Sequence, residues 1–206
     1  YAYPEGIDDE LIQVMKNNSN ICHYLDMPIQ HSVNHILAAM NRPDTREGIL
    51  HKLALLRQAM PDITLRTTVM VGFPGESDED FEQLISFMEE AQFDWVGAFP
   101  YYQEDDTPAA ELPQQVDEEV KQERLDILMK CTAKITASRL QRFVGCSLPV
   151  LVSEDAAELY GEGWLAGRSQ YQAPDVDGAI YFPARNALIG EIITLTITDS
   201  DIYDLR

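Results

Sequence analysis

A change of hydrophobic pattern near residue 145 constrains this chain more than any other feature. Before it, apolar residues alternate between helical spacing and β-branched runs. After it, only short runs broken by Gly, Pro, Asp and Asn remain. Asp8 and Asp9 offer an N-cap for a helix whose apolar face is Leu11, Ile12, Val14 and Met15. Residues 23–29 read as a short extended segment, and Val33, Ile36, Leu37 and Met40 recur at helical spacing. Thr45 caps a further helix carrying Ile49, Leu50, Leu53 and Leu56, which Pro61 stops. Residues 63–71 are rich in β-branched side chains and predict a strand. Ser77 and Asp80 have capping-box spacing ahead of Phe81, Leu84, Ile85 and Met88, and residues 94–99 predict the next strand. A long helix is expected from Asp117 to about Phe143, its acidic first turn suiting the helix dipole, with Gly145 as its stop.

Repeated strand–helix units imply parallel strands with right-handed crossovers. Residues 1–140 are therefore expected to be α/β, with about three strand–helix units. That is either a small open sheet or part of a larger TIM-like barrel. Three parallel strands leave a sheet edge unpaired, so exposed apolar surface and self-association are expected. The short runs at 148–152, 164–166, 179–182 and 191–197 predict a second, all-β unit over 141–206, a five-strand OB-like barrel.

Charge narrows the function classes. With 15 Lys+Arg against 35 Asp+Glu the formal charge is −20. From Leu140 onward there are four Arg, no Lys and ten acids. Nucleic-acid affinity rests on cations neutralising phosphates, so direct RNA binding is disfavoured. Cys22, Cys131 and Cys146 lack metal-ligand spacing and fit a reducing, cytoplasmic setting. No apolar run approaches the roughly 20 residues of a membrane span, so no membrane partner is expected. The chain lacks an initiator Met and begins abruptly, so it is expected to be a fragment.

Three stretches carry candidate chemistry. Gln30-His31-Ser32 follows the C-terminal end of a predicted strand, where ligands bind in parallel α/β folds; equally, Gln30 and Ser32 cap the next helix and His31 is an internal hydrogen bonder. Arg66 and Thr68 lie in the second strand, which runs into Gly72-Phe73-Pro74-Gly75-Glu76. Those glycines allow close backbone approach to a ligand, but the Lys-Ser/Thr ending of a P-loop is missing. Arg66 pointing into the protein needs an anionic partner; pointing outward it is a solvated charge. The aromatics Phe99 and Tyr101 either frame a ligand or plug the end of the sheet. His23, His31, His35 and His51 form no convincing metal set, and Met15, Met40, Met60, Met70 and Met88 occupy core-like positions.

Taken in order, these stretches resemble the radical-SAM methylthiotransferases. The resemblance rests on Tyr1-Ala2-Tyr3-Pro4, residues 24–31 (YLDMPIQH), Met40-Asn41-Arg42, Leu65-Arg66-Thr67-Thr68, residues 71–76 (VGFPGE), Phe99-Pro100-Tyr101, Gly167-Arg168-Ser169 and residues 173–178 (APDVDG). It covers essentially the whole chain and points to the branch that modifies a ribosomal-protein aspartate rather than its tRNA-modifying cousin. The resemblance implies a radical-SAM barrel followed by a TRAM barrel. It also implies S-adenosyl-L-methionine and two 4Fe-4S clusters as cofactors, and methylthiolation of an aspartate β-carbon in protein twelve of the small ribosomal subunit. An acidic TRAM barrel suits docking to a basic protein.

By the same resemblance, Gln30 and Ser32 contact the methionine or ribose portion of the cofactor. Arg66 and Thr68 serve its charged end or the substrate aspartate. Gly72, Pro74, Gly75 and Glu76 frame the adenosine with the backbone of Phe99 and Tyr101. The family's CxxxCxxC signature is absent, and the three cysteines do not match its positions. The chain is therefore expected to be the C-terminal half of the enzyme, without cluster ligands and inactive without its N-terminal half. Two rivals remain, a tRNA adenosine methylthiotransferase and a non-catalytic docking module.

Overall fold

The computed structural model describes residues 2–206. Strands β1 (Tyr24–Asp26), β2 (Thr64–Val71) and β3 (Trp95–Pro100) form a parallel sheet in that order. Asp26 lies opposite Arg66, and Arg66 opposite Trp95. Helix α1 (Asp9–Asn17) precedes the sheet, and α2 (Asn34–Ala39) and α3 (Arg46–Ala59) connect β1 to β2. Helix α4 (Asp78–Ala91) connects β2 to β3, and α5 (Glu118–Leu140) follows.

The starts of these helices are written in short polar side chains. Asp8 accepts from the Leu11 N–H at 2.8 Å, and Thr45 accepts from the Gly48 N–H at 3.1 Å. Ser77 and Asp80 complete a reciprocal capping box, and α4 ends on Gln92 in the left-handed region at φ 51°. Helix α1 differs from expectation in one respect. Ile12 and Met15 are buried but Val14 is 44% exposed, so its apolar stripe is narrower than the spacing implied. The long helix ends at Leu140 and passes through a 3₁₀ turn at Gln141–Phe143 before Gly145, at φ +87°, turns the chain.

The two faces of the parallel sheet differ in chemistry. Leu65, Val69 and Val71 turn one face toward the helices, joining Met27, Ile29, Leu53, Leu84 and Phe87 in the main core. The alternate positions Tyr24 and Asp26, Arg66, Thr68 and Met70, and Trp95, Gly97 and Phe99 share the opposite face. That open face meets the second unit at one end and a cleft at the other.

In the second unit, β4 (Ser147–Asp155), β5 (Trp164–Arg168), β6 (Ile180–Pro183) and β7 (Ile192–Thr196) form an antiparallel sheet in the order β6-β5-β4-β7. Helix α6 (Ala157–Tyr160) sits between β4 and β5, and β4 is irregular between Val152 and Glu154. The sheet curls as a small barrel does. The four predicted runs are the four strands; the fifth strand of the expected barrel has no run assigned to it in the sequence, and the closing segment adds only bridges from Leu205 to Ile180 and Ser200. The physical reason is local. The side chains of Asp199 and Asp201 accept from the next residue's N–H, at 2.9 and 2.8 Å, so they hold this segment in turns rather than in a ladder. Val150, Val152, Leu165, Ile180, Phe182 and Leu205 fill the core, which also takes in Trp95 of β3 and Leu140 and Phe143. Among the described residues no helix is long and apolar enough to cross a membrane.

Cutting Leu65, fully buried behind the sheet, to Ala should cost about 2–5 kcal/mol. This is read as a lower urea midpoint at unchanged slope. Val14→Ala, on the exposed side of α1, should stay within about 0.5 kcal/mol of the parent.

Candidate functional site

The C-terminal end of the open face carries a cleft of about 550 Å³. Gln30, Met70, Phe73, Phe99 and Tyr101 line it, with Met40 and Arg42 along one side. Gln30 is held at φ 66° by bonds from its N–H to the Thr68 carbonyl (3.0 Å) and from the Met70 N–H to its own carbonyl (2.7 Å). Neither Gln30 nor Ser32 caps α2, whose N-cap is Val33 without a side-chain bond. Instead the Gln30 Oε1, the Ser32 Oγ and the Tyr101 hydroxyl are buried without a hydrogen-bond partner. Buried polar atoms are almost always paired, so the Gln30 and Tyr101 orphans, both on the cleft wall, mark a place where a polar ligand completes the bonding, with Ser32 buried behind them. The cleft thus brings together Gln30, Phe99 and Tyr101; Ser32, Pro74 and Gly75 are not among its lining residues.

Behind it, the Gly72–Glu76 turn is clamped from α5. Gly72 sits at φ +72° and donates its N–H to Glu76 Oε2 at 2.9 Å. A Cβ at Gly72 would overlap the Lys121 side chain, which covers it. The Glu76 side chain is wholly buried, and Arg124 Nη1 donates to its Oε1 at 2.8 Å and to its carbonyl at 3.1 Å. Arg124 Nη2 also bonds Asp78 at 2.6 Å. On the other side, His31 Nε2 lies 3.3 Å from Glu76 Oε2, while His31 Nδ1 accepts from the Val33 N–H at 3.0 Å. Glu76 therefore spends its carboxylate inside the chain, fixing the turn. Lys121 lies 5.2 Å from the centroid of the Tyr101 ring, which meets Phe73 edge-on at 5.4 Å.

Arg66 lies toward the other end of the open face, and its charge is met within the chain. Its Nη1 donates to Asp26 at 2.6 Å and to Thr68 at 3.3 Å, and its Nε lies 3.4 Å from Asp177 of the second unit. Asp177 also accepts from the Tyr24 hydroxyl at 2.6 Å and from the Ala173 N–H at 2.8 Å. Burial pushes the Asp177 carboxyl above its ordinary range, and burial with the Asp177 bond pushes the Tyr24 phenol far above 10.0. Burial works against the Arg66 charge, but Asp26 beside it raises its pKa on balance.

Sequence reasoning overlooked Lys121, Arg124 and Asp177. On α5 the two cations read as solvated charges, and only their burial at 2% and 6% exposure separates them from Lys130 and Lys134. Asp177 did carry a signal, since it falls within the 173–178 motif. Among the described residues no group of three or more His, Cys, Asp or Glu is placed to hold a metal ion.

Two outcomes test this geometry. Arg124→Gln leaves the Glu76 carboxylate buried and unpaired, which should cost about 3–5 kcal/mol, and adding Glu76→Gln should recover part of it. Urea unfolding of the four-variant cycle measures this. Tyr24 contributes stability that is present below its unfolded value of 10.0 and lost as pH rises beyond it. Tyr24→Phe should therefore flatten the fall in melting temperature between about pH 9 and about pH 11.

Known proteins are similar to the chain over both of its units. A family model described as Radical SAM superfamily matches residues 3–88, and one described as TRAM domain matches residues 144–206. The chain is 51% identical over 205 residues to the ribosomal protein uS12 methylthiotransferase RimO of Geobacter sulfurreducens. It is 48% identical to that of Syntrophotalea carbinolica and 46% identical to that of Clostridioides difficile. Each match covers all of this chain but only 45%, 45% and 46% of the relative, so the chain spans about half the length of the curated relatives it matches. Along its whole length the chain is thus similar to the radical-SAM methylthiotransferases, with a Radical SAM segment followed by a TRAM domain.

Proposed function

We propose that the protein containing this chain is a cytoplasmic radical-SAM methylthiotransferase. It attaches a methylthio group to the β-carbon of an aspartate in protein twelve of the small ribosomal subunit, uS12. The observation that carries this reading is 51% identity, across the whole chain, to a relative named for that activity. The tRNA adenosine alternative is not favoured. Under this reading residues 1–140 are the later part of a TIM-like radical-SAM barrel, with the cleft at the C-terminal ends of its strands. Residues 141–206 are an acidic TRAM barrel that docks the basic ribosomal protein.

S-adenosyl-L-methionine fits the residues present. Its polar groups would complete the orphaned Gln30 Oε1, Ser32 Oγ and Tyr101 hydroxyl, and its adenosine would lie against Phe99 and Tyr101 beside the Gly72-Phe73-Pro74-Gly75-Glu76 turn. When bound and reductively cleaved it supplies the radical that removes a hydrogen from the substrate carbon. The chain's own part is to orient and shield. Gln30 and Ser32 offer hydrogen bonds, Glu76 holds the turn in shape, and Met70 and Phe73 exclude water. Thr68 lies between the cleft and Arg66, on the path toward the substrate aspartate. The two 4Fe-4S clusters do not fit residues of this chain, because Cys22, Cys131 and Cys146 are dispersed, so their ligands are assigned outside it.

Equilibrium binding of S-adenosyl-L-methionine to the full-length protein tests the site. Gln30→Ala and Ser32→Ala should each weaken binding about tenfold, the scale of a lost buried hydrogen bond. Unchanged affinity in both would remove the assignment. Mass spectrometry of uS12 after reaction tests the substrate, with gain of one methylthio group on an aspartate as the expected result. Modification of tRNA in place of uS12 would transfer the reading to the alternative.

A further inference from the structure

The 173–178 segment has no task in the reaction as proposed, yet it reaches the open face of the sheet. Asp177 is its tip. The side chain is wholly buried, accepts from Tyr24 and Ala173, and lies 3.4 Å from Arg66 Nε, while Asp26 takes the other side of the same guanidinium at 2.6 Å. The segment is stiff where it carries Asp177. Ser169 donates from both its N–H and its Oγ to the buried Gln172 Oε1, at 2.9 and 2.8 Å. At Gly178 a Cβ would run into the Tyr203 carbonyl, so only glycine permits this approach. Gly97 is bound in a similar way, since a Cβ there would stand 3.1 Å from Arg66 Nη2.

Neither unit alone forms what lies beside this joint. An open pocket of about 350 Å³ lies between Arg66, Trp95 and Gly97 of the sheet and Val176, Asp177 and Tyr203 of the TRAM domain. It opens on the same face as the cleft, four residues down β2 from Met70, which at about 3.3 Å per residue is roughly 13 Å. Its walls set one carboxylate, Asp177, against the Arg66 guanidinium, and its rim exposes Val176 and Tyr203 at 53% and 39%. A polypeptide segment entering between the two units therefore meets apolar contact and a balanced ion pair within reach of the cofactor cleft, and the net charge of −20 favours a basic one.

We propose that Asp177 is a positioning residue for the reaction: by closing on Arg66 it sets the TRAM domain against the open face and so builds the chamber that receives the substrate segment. This rests on the methylthiotransferase reading and deepens it, because Arg66 then serves the joint and not the charged end of the cofactor.

The test uses the full-length protein with uS12 and S-adenosyl-L-methionine. Asp177→Ala should raise KM for uS12 at least about tenfold, since misplacement of a substrate by an ångström suffices for that, while cofactor affinity stays within about twofold. Hydrogen exchange in the 171–178 segment should rise. Asp177→Asn keeps an oxygen for Tyr24 and Ala173 but turns an NH2 toward Arg66 Nε where the carboxylate oxygen stood, so it should keep most of the KM defect. Arg66→Gln should reproduce Asp177→Ala, and the double variant should be no worse than either. Gly97→Ala displaces the guanidinium without touching either ionic partner and should act in the same direction, so it decides the matter if Asp177→Ala does not fold. Unchanged KM and unchanged exchange in Asp177→Ala would overturn the proposal. So would Arg66→Gln weakening cofactor binding when Asp177→Ala does not. A parent protein that fails to modify uS12 overturns the functional reading instead, and the exchange measurement then still tests the joint.

Discussion

A buried guanidinium shared by two carboxylates organises this chain. Arg66 occupies the central strand of a three-stranded sheet, on the face the helices leave open, and its charge must be balanced there. Asp26 supplies one counter-charge from the neighbouring strand, in register with it. Asp177 supplies the other from more than a hundred residues away. Such a cluster is a weak source of net stability, because desolvating three ionised groups consumes most of their attraction. What it provides is geometry. A hydrophobic contact tolerates sliding, whereas Asp26 holds the guanidinium by a directional bond and Asp177, oriented by Tyr24 and Ala173, faces it with charge at 3.4 Å.

Helix α5 repeats that logic at both its ends. Near its start, Lys121 and Arg124 hold the Gly72–Glu76 turn through Glu76 and the bare backbone of Gly72. Near its end, Arg139 donates to Asp94 at 2.9 Å, and Arg142, just beyond it, lies 3.1 Å from the same oxygen. The other Asp94 oxygen accepts from the Leu65 N–H at 2.9 Å. Leu140 and Phe143 then enter the core of the TRAM domain. One 23-residue helix thus touches the candidate cofactor turn, the central strand and the second core. The two units are joined by a shared core and a shared ion cluster rather than by a linker.

How much of this was legible in the sequence follows from how local each feature is. Asp8, Thr45 and the Ser77–Asp80 pair act on backbone within three residues, so their caps could be read directly. The β-branched run of β2 and the switch of grammar at Gly145 were equally plain. The missing fifth strand was not, because Asp199 and Asp201 hold the closing segment in turns that a hydrophobic pattern does not show. At the candidate site, Gln30, Phe99 and Tyr101 were singled out from their position after strand ends, and they do converge on one cleft. Lys121 and Arg124 could not be singled out, since a helix buries a cation for tertiary reasons that its own spacing does not record. For Arg66 the need for an anionic partner was readable from the residue alone. Which aspartates would answer it depended on the whole fold.

The disposition of the cations sharpens what the net charge means. Seven of the ten arginines, Arg42, Arg46, Arg66, Arg124, Arg139, Arg142 and Arg206, pair with carboxylates of the same chain. Lys121 is buried against Glu118 and Tyr101. Most of the positive charge is therefore engaged within the fold, each pair taking a carboxylate with it, and the net −20 is left on carboxylates without a cation. A phosphate backbone approaching such a surface finds few free cations to release counterions against, and it is repelled over about a Debye length. A basic protein approaching it is steered inward by the same field. The field comes from the twenty carboxylates in excess of cations, and the ion pairs that fix the joint leave it unchanged.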